Sequence, residues 1–439
     1  MSQEGLGMLM LGLLVAAIFI GFPTAFTLLA LGFVFGYLGF GHLVFDLMVQ
    51  RAFSVMTNDV LITIPLFIFM GYVLERSGVL DRLFRAILVA SGRLRGSLAL
   101  STLITCTIFA MATGIIGASV TIMGLLALPA MLRLKYDKSL ATGTIAAGGT
   151  LGILIPPSVL LILYAANAGE SIVRLYLGAF VPGFLLSGIY VLYVIVVTLM
   201  RPEAGPPLPK EERNFPLGQI LMMVVTGVLP MSLLIFSVLG SIAFGLAAPT
   251  EAAAMGAIGA LVLAAAYRKL NLKNLREALY QSIRTSSMVL TLLTGSSIFA
   301  AVFARLGGSK VIENFVLGLG LSTGGFILLA MVLIFLLGWP LEWTEIIIIF
   351  MPLLWPIAAA YKIDPIWFGI LVAVNLQTAF LSPPVAMAAF YLKGVAGDSV
   401  LLSEIFRGML PFMAIQVFGL LMVYFFPQLA LWLPGVLIK

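Results

Sequence analysis

Long apolar segments separated by short polar turns run along almost the whole chain. Runs of about 17–25 apolar residues are long enough to cross the hydrocarbon core of a bilayer. Such runs predict spans near 5–20, 23–40, 57–76, 139–168 and 174–200, and again near 217–243, 250–267, 286–305, 365–392 and 404–430. Two further apolar blocks, 97–134 and 322–360, are interrupted in the middle and predict re-entrant helical hairpins. The pattern indicates an all-α polytopic membrane protein.

Amphipathic segments and one polar linker divide the apolar pattern. The segments 44–54, 78–92 and 271–284 are amphipathic. Segment 78–92 carries apolar residues on one face and charged residues on the other, which is typical of a helix at the membrane interface. The only clear boundary is the polar, proline-rich linker at 201–216.

The residues after this linker repeat those before it. At a constant offset of 227 positions, several residues coincide: Pro129 with Pro356, Lys135 with Lys362, Asp137 with Asp364, Pro156 with Pro383 and Pro157 with Pro384. A doubled proline and a matched Lys-x-Asp are hard to obtain by chance. We therefore predict two repeats of about five spans each, residues 1–200 with the hairpin 97–134 and residues 217–439 with the hairpin 322–360, joined by a cytoplasmic linker at 201–216.

The basic residues predict the orientation of these repeats. Whether each hairpin crosses the membrane twice or not at all, each repeat has an odd number of crossings, so the second is inverted. With both termini in the periplasm, 18 of the 24 lysines and arginines lie on the inner side. This excess agrees with the positive-inside rule. The hairpin 97–134 is then expected to enter from the cytoplasm and the hairpin 322–360 from the periplasm.

Composition excludes several classes of function. Hydrophobic residues make up 62% of the chain and charged residues 10%, against about 45–50% and about 25% in soluble domains. One cysteine and one histidine exclude a disulfide framework and the usual zinc or iron–sulfur clusters. The motifs of zinc proteases, serine hydrolases and P-loop ATPases are missing. The net charge of +6 reflects membrane topology, and we expect no nucleic-acid partner and no organic cofactor. The first apolar run has no basic region before it and is predicted to be a retained helix.

Four polar interruptions inside the apolar sequence carry the candidate chemistry. They lie at 113–119, 148–158, 338–345 and 375–385, and each combines glycine or proline with hydroxyl, amide or carboxyl side chains. Non-helical backbone at membrane depth occurs only where it is buried in protein or lines a cavity, and matched breaks in inverted repeats point to a transport site. Freed carbonyls and uncharged side-chain oxygens suit Na⁺, whereas half-helix N-termini suit an anionic group.

These interruptions predict three sets of site residues. The first sodium site comprises Thr113, Gly114, Ser119, Gly149, Thr150 and Pro156. The second comprises Gly338, Thr344, Asn375, Thr378 and Ser382. Substrate-lining residues are Gly117, Gly152, Ser158, Glu342, Gln377 and Pro383. Glu342 and Glu345 are equally compatible with ligands and with solvated residues in a wet vestibule.

Several motifs together resemble a known family. They are Ile64-Pro65-Leu66-Phe67 with Gly71, Ile155-Pro156-Pro157-Ser158, Val181-Pro182-Gly183, Ala248-Pro249-Thr250-Glu251 and the segment 375–384. In this order, over about residues 5–430, they resemble the large membrane subunit of tripartite ATP-independent periplasmic (TRAP) transporters. The tip at 113–119 departs from the serine-rich form common in that family, so backbone ligands are better supported there than side-chain ligands.

The resemblance implies a function and partners. It implies a sodium-driven elevator transporter of the ion-transporter superfamily in the bacterial inner membrane. Its substrate, an organic acid anion, would arrive on a periplasmic substrate-binding protein, and a separate small four-helix membrane subunit would complete the transporter. Nothing in the chain chooses among organic acids, the number of sodium ions or the oligomeric state.

Two other functions are compatible with parts of the pattern. A stand-alone sodium–carboxylate symporter of related fold would need no binding protein. A membrane enzyme would need a catalytic constellation, and Glu342 and Glu345 are the only intramembrane candidates, without a histidine, cysteine or metal partner.

Overall fold

The first part of the chain is a series of helices. The computed structural model describes residues 1–114 and 116–438, and this described part contains helices and no strands. Up to the linker, the helices are α1 (Gln3–Ile20), α2 (Thr24–Phe40), α3 (Leu43–Met56), α4 (Thr63–Arg76), α5 (Val79–Ser91), α6 (Ser97–Thr113), α7 (Ile116–Arg133), α8 (Lys138–Thr150), α9 (Val159–Ala168) and α10 (Ile172–Met200). Short 3-10 turns occupy Asp59–Ile62 and Leu151–Ile153.

The second part begins after the short linker helix α11 (Lys210–Arg213). Its helices are α12 (Leu217–Ala243), α13 (Pro249–Ala266), α14 (Leu272–Arg305), α15 (Gly308–Gly318), α16 (Thr323–Leu337), α17 (Trp343–Glu345), α18 (Met351–Ala360), α19 (Pro365–Leu381), α20 (Met387–Ala396), α21 (Leu402–Phe425) and α22 (Gln428–Leu437). A π-helical segment, Ile346–Phe350, joins α17 to α18.

The described helices confirm an all-α multi-pass membrane protein. Eight of them are long and apolar enough to cross a membrane, and a ninth span results if α3 and the bent segment that follows it are counted as one. The bend between Leu43–Met56 and Asp59–Arg76 is 55°.

The predicted boundary between residues 284 and 286 is wrong. The amphipathic segment 271–284 and the span 286–305 are a single 34-residue helix, α14. No glycine or proline occurs between Leu272 and Thr294, so nothing in the backbone interrupts the helix where its polar residues give way to apolar ones. Asn271 caps its first turn by accepting a hydrogen bond from the backbone N–H of Asn274 at 2.8 Å.

The interruptions occur where glycine or proline stands in the sequence. Gly114 ends α6 with φ 61°, and α8 stops at Thr150 before the first proline pair. The break after α19 is shorter than the predicted segment 375–385, because the helix continues to Leu381. Asn375 and Thr378 therefore lie in the last turns of a helix, since the first residues that stop it are the proline pair beginning at Pro383.

Matched positions of the two halves have the same local backbone. Lys135 and Lys362 both adopt positive φ, 58° and 55°. Asp137 then accepts a hydrogen bond from the N–H of Leu140 at 2.8 Å, and Asp364 from that of Ile366 at 2.9 Å. In both halves the peptide bond within the proline pair is cis. The Lys-x-Asp correspondence is thus the same helix-start structure used twice.

The helices pack in two groups that face each other at the site. In one group α4 packs against α13 and α14, α2 against α14, and α5 against α12. In the other, α6, α7 and α8 pack together, α8 crosses α21, and α19 packs against α16 and α21. The crossing of α8 and α21 is very close, since a Cβ on Gly143 would lie 2.0 Å from the carbonyl oxygen of Gly408.

Candidate functional site

The tip between α6 and α7 lies against the break between α8 and α9. A Cβ on Gly114 would lie 3.3 Å from the carbonyl oxygen of Pro157 and 3.8 Å from that of Gly152. The preceding residue, Thr113, packs its backbone against α4, where a Cβ on Gly71 would lie 3.1 Å from the Thr113 Cα. Backbone carbonyls of the break are therefore gathered next to a glycine turn that has no side chain to cover them.

The hydroxyl groups at this first break donate hydrogen bonds to backbone carbonyls. Each donates to a carbonyl oxygen earlier in the chain: Thr113 to Phe109 at 3.1 Å, Thr150 to Ala147 at 2.8 Å and Ser158 to Ile153 at 2.5 Å. A hydroxyl whose proton is donated still has lone pairs available for a cation. Ser119 and Pro156 are buried in the same region.

Each half needs one glycine to bring a hairpin against a broken helix. A Cβ on Gly149 in α8 would lie 2.3 Å from Cγ2 of Val120 in α7. In the second half a Cβ on Gly338, which follows α16, would lie 2.3 Å from Cβ of Ala379 in α19. Both distances are far below van der Waals contact, so a larger residue would separate the two elements.

The second break is held by side-chain hydrogen bonds. The indole N–H of Trp339 donates to the hydroxyl of Ser382 at 3.0 Å. The side-chain amide of Asn375 donates to the carbonyl oxygen of Met331 at 2.7 Å, which leaves its own Oδ1 as an acceptor. The hydroxyl of Thr378 donates to the backbone oxygen of Asn375 at 2.6 Å. Here, as at the first break, uncharged buried oxygens retain lone pairs that could bind a cation.

Two glutamines connect the first break to the second half. The amide of Gln377 donates to the backbone oxygen of Thr150 at 3.2 Å, and that of Gln416 donates to the Thr150 hydroxyl at 3.2 Å. All three residues are fully buried. Thr150 and Gln377 are also 227 positions apart, the offset at which Pro156 and Pro157 coincide with Pro383 and Pro384.

A cavity of about 410 Å³ lies between the two groups of helices. On one side it is lined by Tyr72, Glu75 and Arg76 of α4 and by Gln281, Thr285 and Met288 of α14. On the other side it is lined by Gly114, Gly117 and Thr121 of the first hairpin, by Glu342, Trp343 and Thr344 of the second, and by Tyr391 of α20. Tips from both halves of the chain thus share one polar cavity, which we call the central cavity.

Some of the predicted substrate-lining residues lie elsewhere. Gly117 and Glu342 line the central cavity, whereas Gly152, Ser158, Gln377 and Pro383 are not among its lining residues. Gln377 lies instead in the helix crossing described above, fully buried, with its amide donating to the backbone oxygen of Thr150. Glu345 accepts a hydrogen bond from the backbone N–H of Glu342 at 3.1 Å, so it caps the helix start. Glu342 itself is exposed to the cavity.

The residues of α4 and α14 were missed by the sequence analysis. Tyr72 and Arg76 are four residues apart, as are Gln281 and Thr285, so each pair lies on one face of its helix. The hydroxyls of Tyr72 and Thr285 are 3.1 Å apart and join the two helices. In the sequence, the only indication of these residues is the spacing of polar side chains four positions apart in an apolar helix. The packing of α4 on α14 places both pairs in one cavity.

The chain matches a family model over residues 11–429, described as "Tripartite ATP-independent periplasmic transporter, DctM component". The chain belongs to this family. It is 31% identical to the C4-dicarboxylate TRAP transporter large permease protein DctM of Pseudomonas aeruginosa, with 88% of each protein covered. It is 28% identical to the sialic acid TRAP transporter large permease protein SiaM of Vibrio cholerae, over 97% of this chain and 96% of that protein.

One further sequence and one solved structure are similar to this TRAP large permease. The isethionate TRAP transporter permease protein DctMQ of Oleidesulfovibrio alaskensis is 30% identical over 90% of this chain, which spans 61% of that longer protein. Among solved structures, the YdaH transporter of Alcanivorax borkumensis superposes with a TM-score of 0.62 at 16% identity, covering 94% of this chain and 97% of that one. This last similarity concerns the fold alone.

Proposed function

We propose that this TRAP large permease takes up an organic acid anion across the bacterial inner membrane, driven by an inward sodium gradient. The observation that carries the proposal is the central cavity, where interrupted segments from both halves meet the polar faces of α4 and α14. A polar cavity at broken helices is where membrane transporters of repeat architecture bind their substrates.

The oxygens around each break fit a hard monovalent cation. At the first break Na⁺ would be held by carbonyls near Gly114 and by the hydroxyls of Thr113 and Thr150. At the second it would be held by Asn375, Thr378 and Ser382. None of these side chains is charged, and each one that carries a hydroxyl donates its proton to a backbone carbonyl. Bound Na⁺ would supply the coupling to the gradient, while these residues supply the oxygen ligands.

The proposed mechanism is alternating access of the elevator type. The group of α2, α4, α5 and α12–α14 would form a static scaffold, and the group of α6–α9 and α16–α21 would carry the site past it. The packing within each group supports this division, and α4 and α5 contact α6 where the two groups meet. The shared Lys-x-Asp structures support two repeats, and the 18 basic residues on one side support their inverted orientation.

We further propose that two partners complete the transporter. A small four-helix membrane subunit would pack on the scaffold, and a periplasmic substrate-binding protein would deliver the anion. The tripartite description of the family supports both, and a permease named DctMQ that continues beyond the length of this chain supports the first.

Reconstitution into liposomes tests the proposal. With an inward sodium gradient, this chain alone should take up no free organic acid, and adding the small subunit with the loaded binding protein should start uptake. Replacing the gradient by potassium should stop it. Robust sodium-driven uptake by the chain alone would instead establish the stand-alone symporter.

Removal of single oxygens tests the second cation site. Thr378→Ala or Ser382→Ala should raise the half-saturating sodium concentration about five- to 150-fold, the effect of about 1–3 kcal/mol for a buried polar group left without its partner. Thr226→Ala is the matched control, because this exposed hydroxyl of α12 also donates to a backbone carbonyl, at 2.7 Å. If both site variants kept the sodium dependence of the control, the second site would not contain these residues.

A further inference from the structure

A second and larger cavity opens beside the central cavity. Its volume is about 810 Å³, and its lining residues are Arg76, Leu272, Lys273, Arg276, Glu277, Tyr280 and Gln281. Arg76 and Gln281 also line the central cavity, so the two spaces share a wall made of one residue from α4 and one from α14. We call the second cavity the basic vestibule. Its residues belong to two segments, 76–95 and 268–284, that the distribution of basic residues assigns to the cytoplasmic side.

The two cavities differ in the sign of their charge. The charged residues of the central cavity are two carboxylates, Glu75 and Glu342, and one guanidinium, Arg76. Those of the vestibule are three cations, Arg76, Lys273 and Arg276, and one carboxylate, Glu277. An anion that passes from the first cavity into the second therefore moves towards positive potential. Charge arranged in this way along a cleft raises the rate at which ions of opposite sign pass.

Arg76 is fixed at the neck between these cavities by carboxylates on both sides. Its Nε is 3.4 Å from Oε2 of Glu277, and its Nη1 is 3.7 Å from Oε1 of Glu75. Nη1 also donates to the backbone oxygen of Tyr72 at 3.4 Å. These contacts involve Nε and Nη1, and a guanidinium has two further donors on Nη2. The side chain is 22% exposed, so it is reachable from the cavities.

We propose that Arg76 binds the carboxylate of the substrate as it leaves the central cavity, and that Lys273 and Arg276 draw it out through the basic vestibule. This inference rests on the proposed uptake of an organic acid anion and adds the route of its release. Because Glu75 and Glu277 already offset the charge of Arg76, a carboxylate that binds the two donors on Nη2 is held weakly. Weak binding at an exit favours release of the anion.

Charged thiol reagents test the potential along this route without requiring transport. Gln281→Cys, in a background where the single native cysteine is serine, places a thiol at the neck between the cavities. The probes are an anionic sulfonate and a cationic trimethylammonium methanethiosulfonate of similar size. Their rates of reaction in the purified protein give an anionic-to-cationic ratio that reports the local potential.

We expect Arg76→Gln to lower this ratio at least five-fold, the effect of one unit charge at close range in water. Arg76→Lys should retain most of the ratio, because it keeps the charge. Arg276→Gln, at an exposed position, should lower it about two-fold because solvent screens this charge more. Arg85→Gln on the exposed face of α5 is the matched control and should leave it unchanged.

The inference is overturned if Arg76→Gln and Arg276→Gln keep the ratio of the parent, if Arg85→Gln lowers it equally, or if the thiol reacts with neither reagent. Were Arg76→Gln to misfold, Arg276→Gln and Arg76→Lys would still decide the question. A failure here leaves the proposed uptake intact, whereas a complete transporter that fails to take up organic acids would overturn the proposed function while the measured potential stands.

Discussion

Gly149 is the position where the structure predicts the sharpest effect of adding one methyl group. It lies in α8 directly before Thr150, and the space above it is filled by the side chain of Val120 from α7. A Cβ at this position would lie 2.3 Å from Cγ2, 3.3 Å from Cβ and 3.2 Å from the backbone nitrogen of Val120. Val120 is fully buried, and a valine in a helix has essentially one allowed rotamer. The clash therefore cannot be relieved by a side-chain rotation.

The energetic consequence follows from this geometry. Ordinary contact begins at 3.4 Å, so Gly149→Ala forces the hairpin and the broken helix apart by roughly 1 Å, which overpacking data place at about 1–3 kcal/mol. The higher helix propensity of alanine offsets up to about 1 kcal/mol. Val120→Ala alone removes two buried methyl groups, or about 1.6 kcal/mol. In the double variant the new methyl group occupies part of the vacated space, so we expect a favourable coupling of about 1–2 kcal/mol.

The free energies of unfolding of the parent, the two single variants and the double variant, measured in mixed micelles, give this coupling. Sodium-dependent uptake by the complete transporter measures the effect of each substitution on function. Gly188→Ala is the control, because a Cβ on Gly188 in α10 would meet nothing within 4 Å, and it should be neutral or slightly stabilising. A Gly149→Ala variant as stable as the parent, or two single effects that simply add, would refute the close approach of α7 and α8 at the first break.

Three further outcomes follow from the same structure. Gly338→Ala brings its Cβ to 2.3 Å from the methyl group of the facing alanine in α19 and should lower the apparent melting temperature; an unchanged melting temperature would contradict this close approach. In a cysteine-free background, Lys362→Cys should react with a membrane-impermeant thiol reagent on intact cells and Lys135→Cys should not; the reverse pattern would contradict the inverted orientation. Glu212→Gln breaks a 2.9 Å ion pair with Arg133, in which the Glu212 side chain is 42% exposed and the Arg133 side chain 62%. The free energy of unfolding should therefore change by less than about 1 kcal/mol, and a larger loss would show that this pair holds the linker.

The pattern of the sequence was sufficient for the class of protein and for most helix boundaries. Apolar runs predict membrane spans because the thickness of the bilayer sets their length, and glycine and proline mark breaks because they act on their own backbone. The motifs around Pro156 and Pro249 were also sufficient for the TRAP family, which the family match over residues 11–429 confirms. The boundary between 271–284 and 286–305 failed because a change from polar to apolar residues changes the environment of a helix without ending it.

Only the tertiary structure decided which residues share a cavity. Gln377 was predicted to line the substrate site as part of the interruption 375–385, yet the crossing of α8, α19 and α21 buries it against Thr150. Arg76 looked like one more basic residue at the end of a span, yet the packing of α4 on α14 places it between two cavities. Hydrophobicity and backbone preference act over a few neighbouring residues and can be read along the chain. The facing of side chains from helices some 200 positions apart depends on how those helices pack, and no local pattern contains that information.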